Sequence, residues 1–146
     1  MRLWRLTLWV ALGMTAAKPL QLSADLAKAR AETKMDRRAS LALDNAEAQL
    51  SAAAQAYRRG EWEKTLAALE EVRESVELAQ ESLAASGRDP RRSTPHKRLE
   101  IRTRKLLRTL TDLRERMSVD ERPQIDSVIA VVQKVHEETL DAVMGG

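Results

Sequence analysis

Apolar side chains recur along this chain at alternating spacings of three and four, the period of a helix that buries one side and wets the other. The sharpest case is the stretch PHKRLEIRTRKLLRTLTDLRERM, where Leu99, Thr103, Leu106, Leu110, Leu113 and Met117 line one narrow seam. Lys97, Arg104, Lys105 and Arg108 fall on the opposite side, so a strongly basic helix is expected there. Met35, Ala39, Ala42, Ala46, Leu50, Ala53 and Tyr57 make a second seam, whose alanines would let a neighbouring helix approach closely. A third comprises Trp62, Leu66, Leu69, Val72, Val76, Ala79 and Leu83, and a fourth Ile125, Val128, Ile129, Val132, Val135, Thr139 and Val143. The β-branched run Val128 to Val132 could be taken for a strand, but helical spacing on both sides and the lack of a partner strand decide for helix. The seams predict helices over about 23–59, 61–85, 96–117 and 121–143. Leu22 and Leu26 lie off the first seam, so the stretch before about Ala31 either projects past the bundle or covers a different neighbour.

Breaker residues divide these segments. Gly60 ends the first helix, as glycine does where the chain needs a left-handed residue just past the last turn, and Glu61 suits the positive end of the next helix dipole. So close a turn forces an antiparallel hairpin. The stretch 84–95, AASGRDPRRSTP, is the one clear linker: Gly87, Pro90 and Pro95 interrupt helix, and Ser93 or Thr94 is placed to start the next one. It is long for a helix connection and is expected either to be mobile or to cross the end of the bundle. At the shorter break SVDERP, Asp120 is expected to cap the last helix, with Pro123 tolerated in its first turn.

Within Leu50 to Val72, Ala56, Tyr57, Gly60, Trp62, Leu69 and Val72 occupy small, aromatic, turn and packing positions, and the stretch resembles one tetratricopeptide-type helical hairpin. Thr65 stands where that pattern has alanine, and nothing later repeats at its period of about 34 residues. The resemblance therefore implies a shared way of making a tight antiparallel turn, and not an array, because such units stack to bury their faces.

The expected fold is all-α, an up-and-down bundle of three to four long amphipathic helices after an N-terminal signal peptide, forming one domain over 23–146 with its last three helices as the firmest part. Composition agrees: Ala, Leu, Glu and Arg dominate, with five Gly, four Pro and no Phe. The leader is read from Arg2 and Arg5, the apolar run Leu6 to Met14, and the small residues Thr15, Ala16 and Ala17, which place it at 1–17 with an alternative cut after Ala24. Its apolar run is too short for a stable transmembrane anchor, and no later segment is apolar enough to span a bilayer. Cysteine is absent, which removes disulfides, thiolate nucleophiles and thiolate metal ligands. The expected location is outside the cytoplasm, most simply a bacterial periplasm.

Charge comes in blocks of alternating sign. From Glu61 to Leu83 seven acidic residues oppose two basic ones, a net of −5; from Arg88 to Arg116 eleven basic residues oppose four acidic ones, a net of +7; from Asp120 onward six oppose two, a net of −4. Such blocks suggest that the basic helix lies between two acidic ones and is complemented by them. The residues singled out as an anionic-ligand or partner face are Arg91, Arg92, Lys97, Ile101, Arg104, Lys105 and Arg108, with Ile101 an apolar residue inside the basic side.

Chemistry is sparse. His96 stands at a linker edge and His136 beside the apolar side of the last helix, with no nucleophile motif near either. Two histidines without cysteine or a Glu-x-x-His pair fall short of a zinc or carboxylate-bridged site, and no glycine-rich phosphate loop occurs. No catalytic, metal or cofactor site is expected. The helix has almost no aromatic residues to stack on bases, so nucleic acid is not an expected partner. The expected function is an exported, non-enzymatic protein acting by protein–protein interaction or self-association. The alternative is an envelope chaperone or sensor that binds anionic or unfolded ligands through the basic helix.

Overall fold

A computed structural model describes residues 24–146; the leader expected at 1–17 lies outside them, and the alternative cut after Ala24 falls at their edge. The elements in order are α1 (Ala24–Ala31), α2 (Met35–Arg58), α3 (Trp62–Ala85), a 3-10 turn (Pro90–Arg92), α4 (Thr94–Arg116) and α5 (Arg122–Met144). The described residues are all-α, and the four long helices among them pack up and down. The α2–α3 pairing is the most extensive and α4–α5 the next; α5 also packs on α3 and α4 on α2, while α3 and α4 barely meet. The order around the bundle is therefore α2, α3, α5, α4.

That order corrects two expectations. The basic helix α4 is flanked by α5 and α2, with acidic α3 diagonal to it. The firmest pairing is the α2–α3 hairpin and not a contact among the last three helices. Here alanine explains the closeness: Ala39, Ala42, Ala46 and Ala53 of α2 are all buried against α3, whose Val72, Val76 and Ala79 are likewise buried. A polar layer crosses this contact, where buried Asn45 donates to Ser75 Oγ at 2.9 Å and to the Glu71 carboxylate at 3.2 Å. A slip of one turn would strand those groups at a cost of about 1–3 kcal/mol each, so the layer fixes the register.

The hairpin turn follows from Gly60, whose φ of 71° is left-handed. The Glu61 amide donates to Ala56 O at 2.9 Å and the Gly60 amide to Tyr57 O at 3.0 Å, which satisfies the last carbonyls of α2. Trp62 meets Tyr57 edge-on with ring centroids 6.5 Å apart. Thr65, where the tetratricopeptide pattern has alanine, is buried and turns its hydroxyl back onto Glu61 O at 2.9 Å. A buried hydroxyl is tolerated here because the helix itself supplies the acceptor.

The helix expected to run unbroken over 23–59 is interrupted at 32–34. Glu32 Oε1 accepts the Lys34 amide at 3.1 Å, and Glu32 O accepts Arg38 Nε at 2.8 Å, so side chains satisfy the backbone groups that the helix would have paired. The break lets α1 fold back over α2 and α3, where Leu26 and Ala29 reach 0% exposure. Burying Leu26 is worth about 1.5–3 kcal/mol, more than the roughly 1 kcal/mol net of a helical hydrogen bond. Of the two alternatives for this stretch, covering a different neighbour is the one realised.

The linker crosses the end of the bundle. Gly87 takes a φ of 70°, Arg88 pairs with Asp36 of α2, and the 3-10 turn rests against α5. Ser93 then caps α4, accepting the His96 amide at 3.4 Å. Asp120 does not cap α5: the cap position is Glu121, with no side-chain cap bond. The Glu121 carboxylate instead accepts the Tyr57 hydroxyl at 2.8 Å and the Ser118 amide at 3.4 Å, tying the α4–α5 turn to the α2–α3 turn. The same bond to Glu121 raises the Tyr57 pKa.

Candidate functional site

The seam of α4 decides what its other side presents. Leu99, Thr103, Leu106, Leu110, Leu113 and Met117 are all buried, so the residues half a turn away must face water. Lys97, Ile101, Arg104, Lys105 and Arg108 are all exposed and form one stripe, with Ile101 43% exposed. Arg104 reaches Glu100 one turn back at 3.0 Å; Lys97, Lys105 and Arg108 have no ion pair among the described residues. Arg91 and Arg92 are exposed on the 3-10 turn at the bundle's end. There Arg91 contacts Asp89 at 3.4 Å, and its stem lies so near Gly145 that a Cβ there would come within 2.9 Å of it. The structure thus gathers five of the seven singled-out residues into the stripe and places Arg91 and Arg92 on a separate element.

Two arginines outside that set pair α4 with its neighbouring helices. Arg102 donates to Asp44 at 2.5 Å and Glu47 at 2.8 Å on α2. Burial disfavours its charge, yet the bonds to Glu47 and Asp44 outweigh that and raise its pKa. Arg114 binds Asp126 of α5, a bond that raises its pKa. These contacts neutralise the flanks of α4 and leave Lys97, Lys105 and Arg108 of the stripe between them without an ion pair among the described residues. Spacing along one helix could not reveal them, because every partner comes from another element.

Spacing along α5 alone gives His136 no carboxylate partner. The fold corrects this by bringing Glu100 of α4 to 4.0 Å from its Nε2, with Thr103 Oγ1 3.1 Å from its Nδ1. The Thr103 hydroxyl donates to Leu99 O at 2.8 Å, so in this arrangement Nδ1 donates to Thr103 Oγ1. Thr103 is 0% exposed and presents no hydroxyl to solvent, so the trio joins α4 to α5 and offers no accessible nucleophile.

His96 is 7% exposed at the start of α4, its Nδ1 2.7 Å from the capping Ser93 Oγ. Burial lowers its pKa below the ordinary 6.5, opposed by nearby Asp36 and reinforced by Arg88. The folded state therefore keeps this ring neutral where the unfolded chain takes up a proton. Its stabilising contribution is present above about pH 6.5 and is lost as pH falls through that value toward the folded pKa. The urea midpoint should fall between about pH 7.5 and pH 5, and fall less in His96→Gln. Equal declines in the two proteins would show that the ring is not held neutral by the fold.

Among the described residues no cluster of three or more His, Asp or Glu side chains could hold a metal ion, and no helix is long and apolar enough to cross a membrane. Fold and surface together define a small all-α bundle with one cationic, solvent-facing helix side. No protein-family model, no curated protein and no solved structure matches the chain.

Proposed function

We propose that this chain is an exported, non-enzymatic helical protein that acts by protein–protein interaction, as an adaptor, scaffold or assembly partner, and that the α4 stripe is its contact face. The observation that carries the reading is the arrangement of that stripe. Arg104 and Arg108 stand four residues apart on an exposed helix, a like-charge spacing that costs about 0.2–0.5 kcal/mol where nothing compensates it. Glu100 offsets Arg104, but Lys97, Lys105 and Arg108 have no ion pair among the described residues, and Ile101 adds an exposed apolar centre. An acidic partner surface with a shallow apolar recess complements such a face, since charge steers the encounter and the apolar anchor slows release. Export rests on the Arg2 to Ala17 leader pattern.

The same face favours a second reading, an envelope chaperone or sensor of anionic or unfolded ligands. One experiment tests both: capture from envelope extract by the wild-type chain and by the double variant Arg104→Glu, Arg108→Glu, each checked by light scattering for mass and by circular dichroism for helix. The adaptor reading expects a folded acidic protein, or a second copy, held at fixed stoichiometry by wild type and lost from the variant at unchanged helix content. Recovery of anionic lipid or of unfolded chains, lost in the same variant, would favour the second reading. Equal capture by the two proteins would rule the stripe out, and a monomer that captures nothing would overturn the proposal.

A further inference from the structure

The exposed side of α4 changes sign along its length. Lys97, Arg104, Lys105 and Arg108 make its first part cationic, whereas Asp112 and Glu115 toward its end are exposed carboxylates on the same side. Among the described residues Asp112 has no ion pair, and Glu115 has one, with adjacent Arg114 at 3.5 Å. At about 100° per residue, Ile101 and Arg108 fall about 20° apart along the middle of this side. Arg104 and Glu115 share one flank of that midline, and Lys105 and Asp112 share the other. Each flank therefore carries a cation and, further along, a carboxylate. A uniformly acidic partner would complement the first part of the stripe and be repelled by the second.

We propose that the partner this stripe takes is a second copy of the chain, laid antiparallel across it about a two-fold axis level with Thr109. The inference rests on the reading of the stripe as a contact face, and it names the partner. A two-fold axis between two antiparallel helices keeps each flank facing its counterpart while reversing position along the helix, so the patch must complement itself end to end. Arg104 lies five residues before Thr109 and Glu115 six after it, which sets each Arg104 against Glu115 of the other copy. Lys105 lies four before and Asp112 three after, which pairs opposite charges on the other flank as well. Each Arg108 stands beside the axis, within a turn of both Asp112 carboxylates. Ile101, eight residues before Thr109, comes level with the turn that follows α4 in the other copy, where Val119 is 74% exposed. The stripe thus supplies both the apolar and the acidic surface that its cations need. A contact of one helix per copy belongs with the small transient interfaces that bury less than about 1,200 Å². Dilute isolated protein therefore keeps the stripe open, and concentrated protein covers it.

Sedimentation of the full 146-residue chain over a concentration series should show a monomer–dimer equilibrium. Arg104→Glu and Glu115→Arg should each weaken it at least about tenfold at unchanged helix content, because the two-fold makes every reversal act twice. Combining Arg104→Glu with Glu115→Arg exchanges the charges and should restore association to within about threefold of wild type. A foreign acidic partner would answer differently, since Glu115→Arg improves its fit. As a second measurement, a lone Arg108→Cys beside the axis should give a disulfide-linked dimer under mild oxidation, in a chain with no cysteine of its own. A lone Glu81→Cys, exposed on α3 diagonal to α4, should stay unlinked. Association that ignores Glu115→Arg, a combined variant no better than either single one, or equal linkage through 81 and 108 would overturn the proposal. So would a chain that stays monomeric at every concentration; if that monomer still captures a foreign protein and loses it with Arg104→Glu, the contact-face reading stands without this one. Reversals that alter neither mass nor capture would sink both.

Discussion

Replacing Leu110 by alanine should lower the unfolding free energy by about 2–5 kcal/mol, the range for a large apolar side chain removed from a core that cannot collapse around the space left. Leu110 is 0% exposed in the middle of α4, in one core cluster with Leu99, Leu106 and Leu113 of its own helix and Ile125, Val128 and Val132 of α5. A single domain is stable by about 5–15 kcal/mol in all, so this one truncation should remove a large share of the margin. Urea denaturation would show it as a lower midpoint at an unchanged slope, because the surface exposed on unfolding hardly alters. Arg108→Ala, two residues away on the stripe, should shift stability by no more than about 0.5 kcal/mol. A Leu110→Ala protein as stable as wild type would mean that the α4 seam is not in the core.

The contrast between Leu110 and Arg108 was legible in the sequence because α4 is the least ambiguous helix in the chain. Its apolar residues keep to one narrow seam, and its charges are concentrated on the other side, so periodicity alone separates inside from outside. The hairpin was legible too, since Gly60 marks a left-handed position that few other residues tolerate. The break at 32–34 was not. It contains neither proline nor glycine, and the bonds that replace helical pairing come from Glu32 and Arg38, residues equally at home inside a helix. Its only trace was Leu26 lying off the α2 seam.

The same limit applies to the polar contacts. Asp120 has good capping chemistry, but Glu121 holds the cap position and its carboxylate is engaged by Tyr57, 64 residues earlier. The ties of Arg102 to Asp44 and Glu47, and of His136 to Thr103 and Glu100, likewise join residues far apart in sequence. A charge pattern along the chain reveals which helix is basic. Only packing reveals which of its cations are neutralised, and hence which remain for a partner.

Adjacent positions on α4 allow the most direct test of that division between buried seam and open stripe. In single-cysteine variants, Thr103→Cys and Arg104→Cys differ by one residue, about 100° around the helix, yet 103 is at 0% exposure and 104 is in solvent. Labelling a buried thiol requires opening the bundle, so an opening free energy of about 4 kcal/mol or more should slow Thr103→Cys by roughly a thousandfold relative to Arg104→Cys under native conditions. Fast labelling at 101, 104 and 108 with slow labelling at 103 and 110 is the result this structure predicts. Similar rates at 103 and 104, or protection of 104 and 108 in the isolated protein, would contradict it.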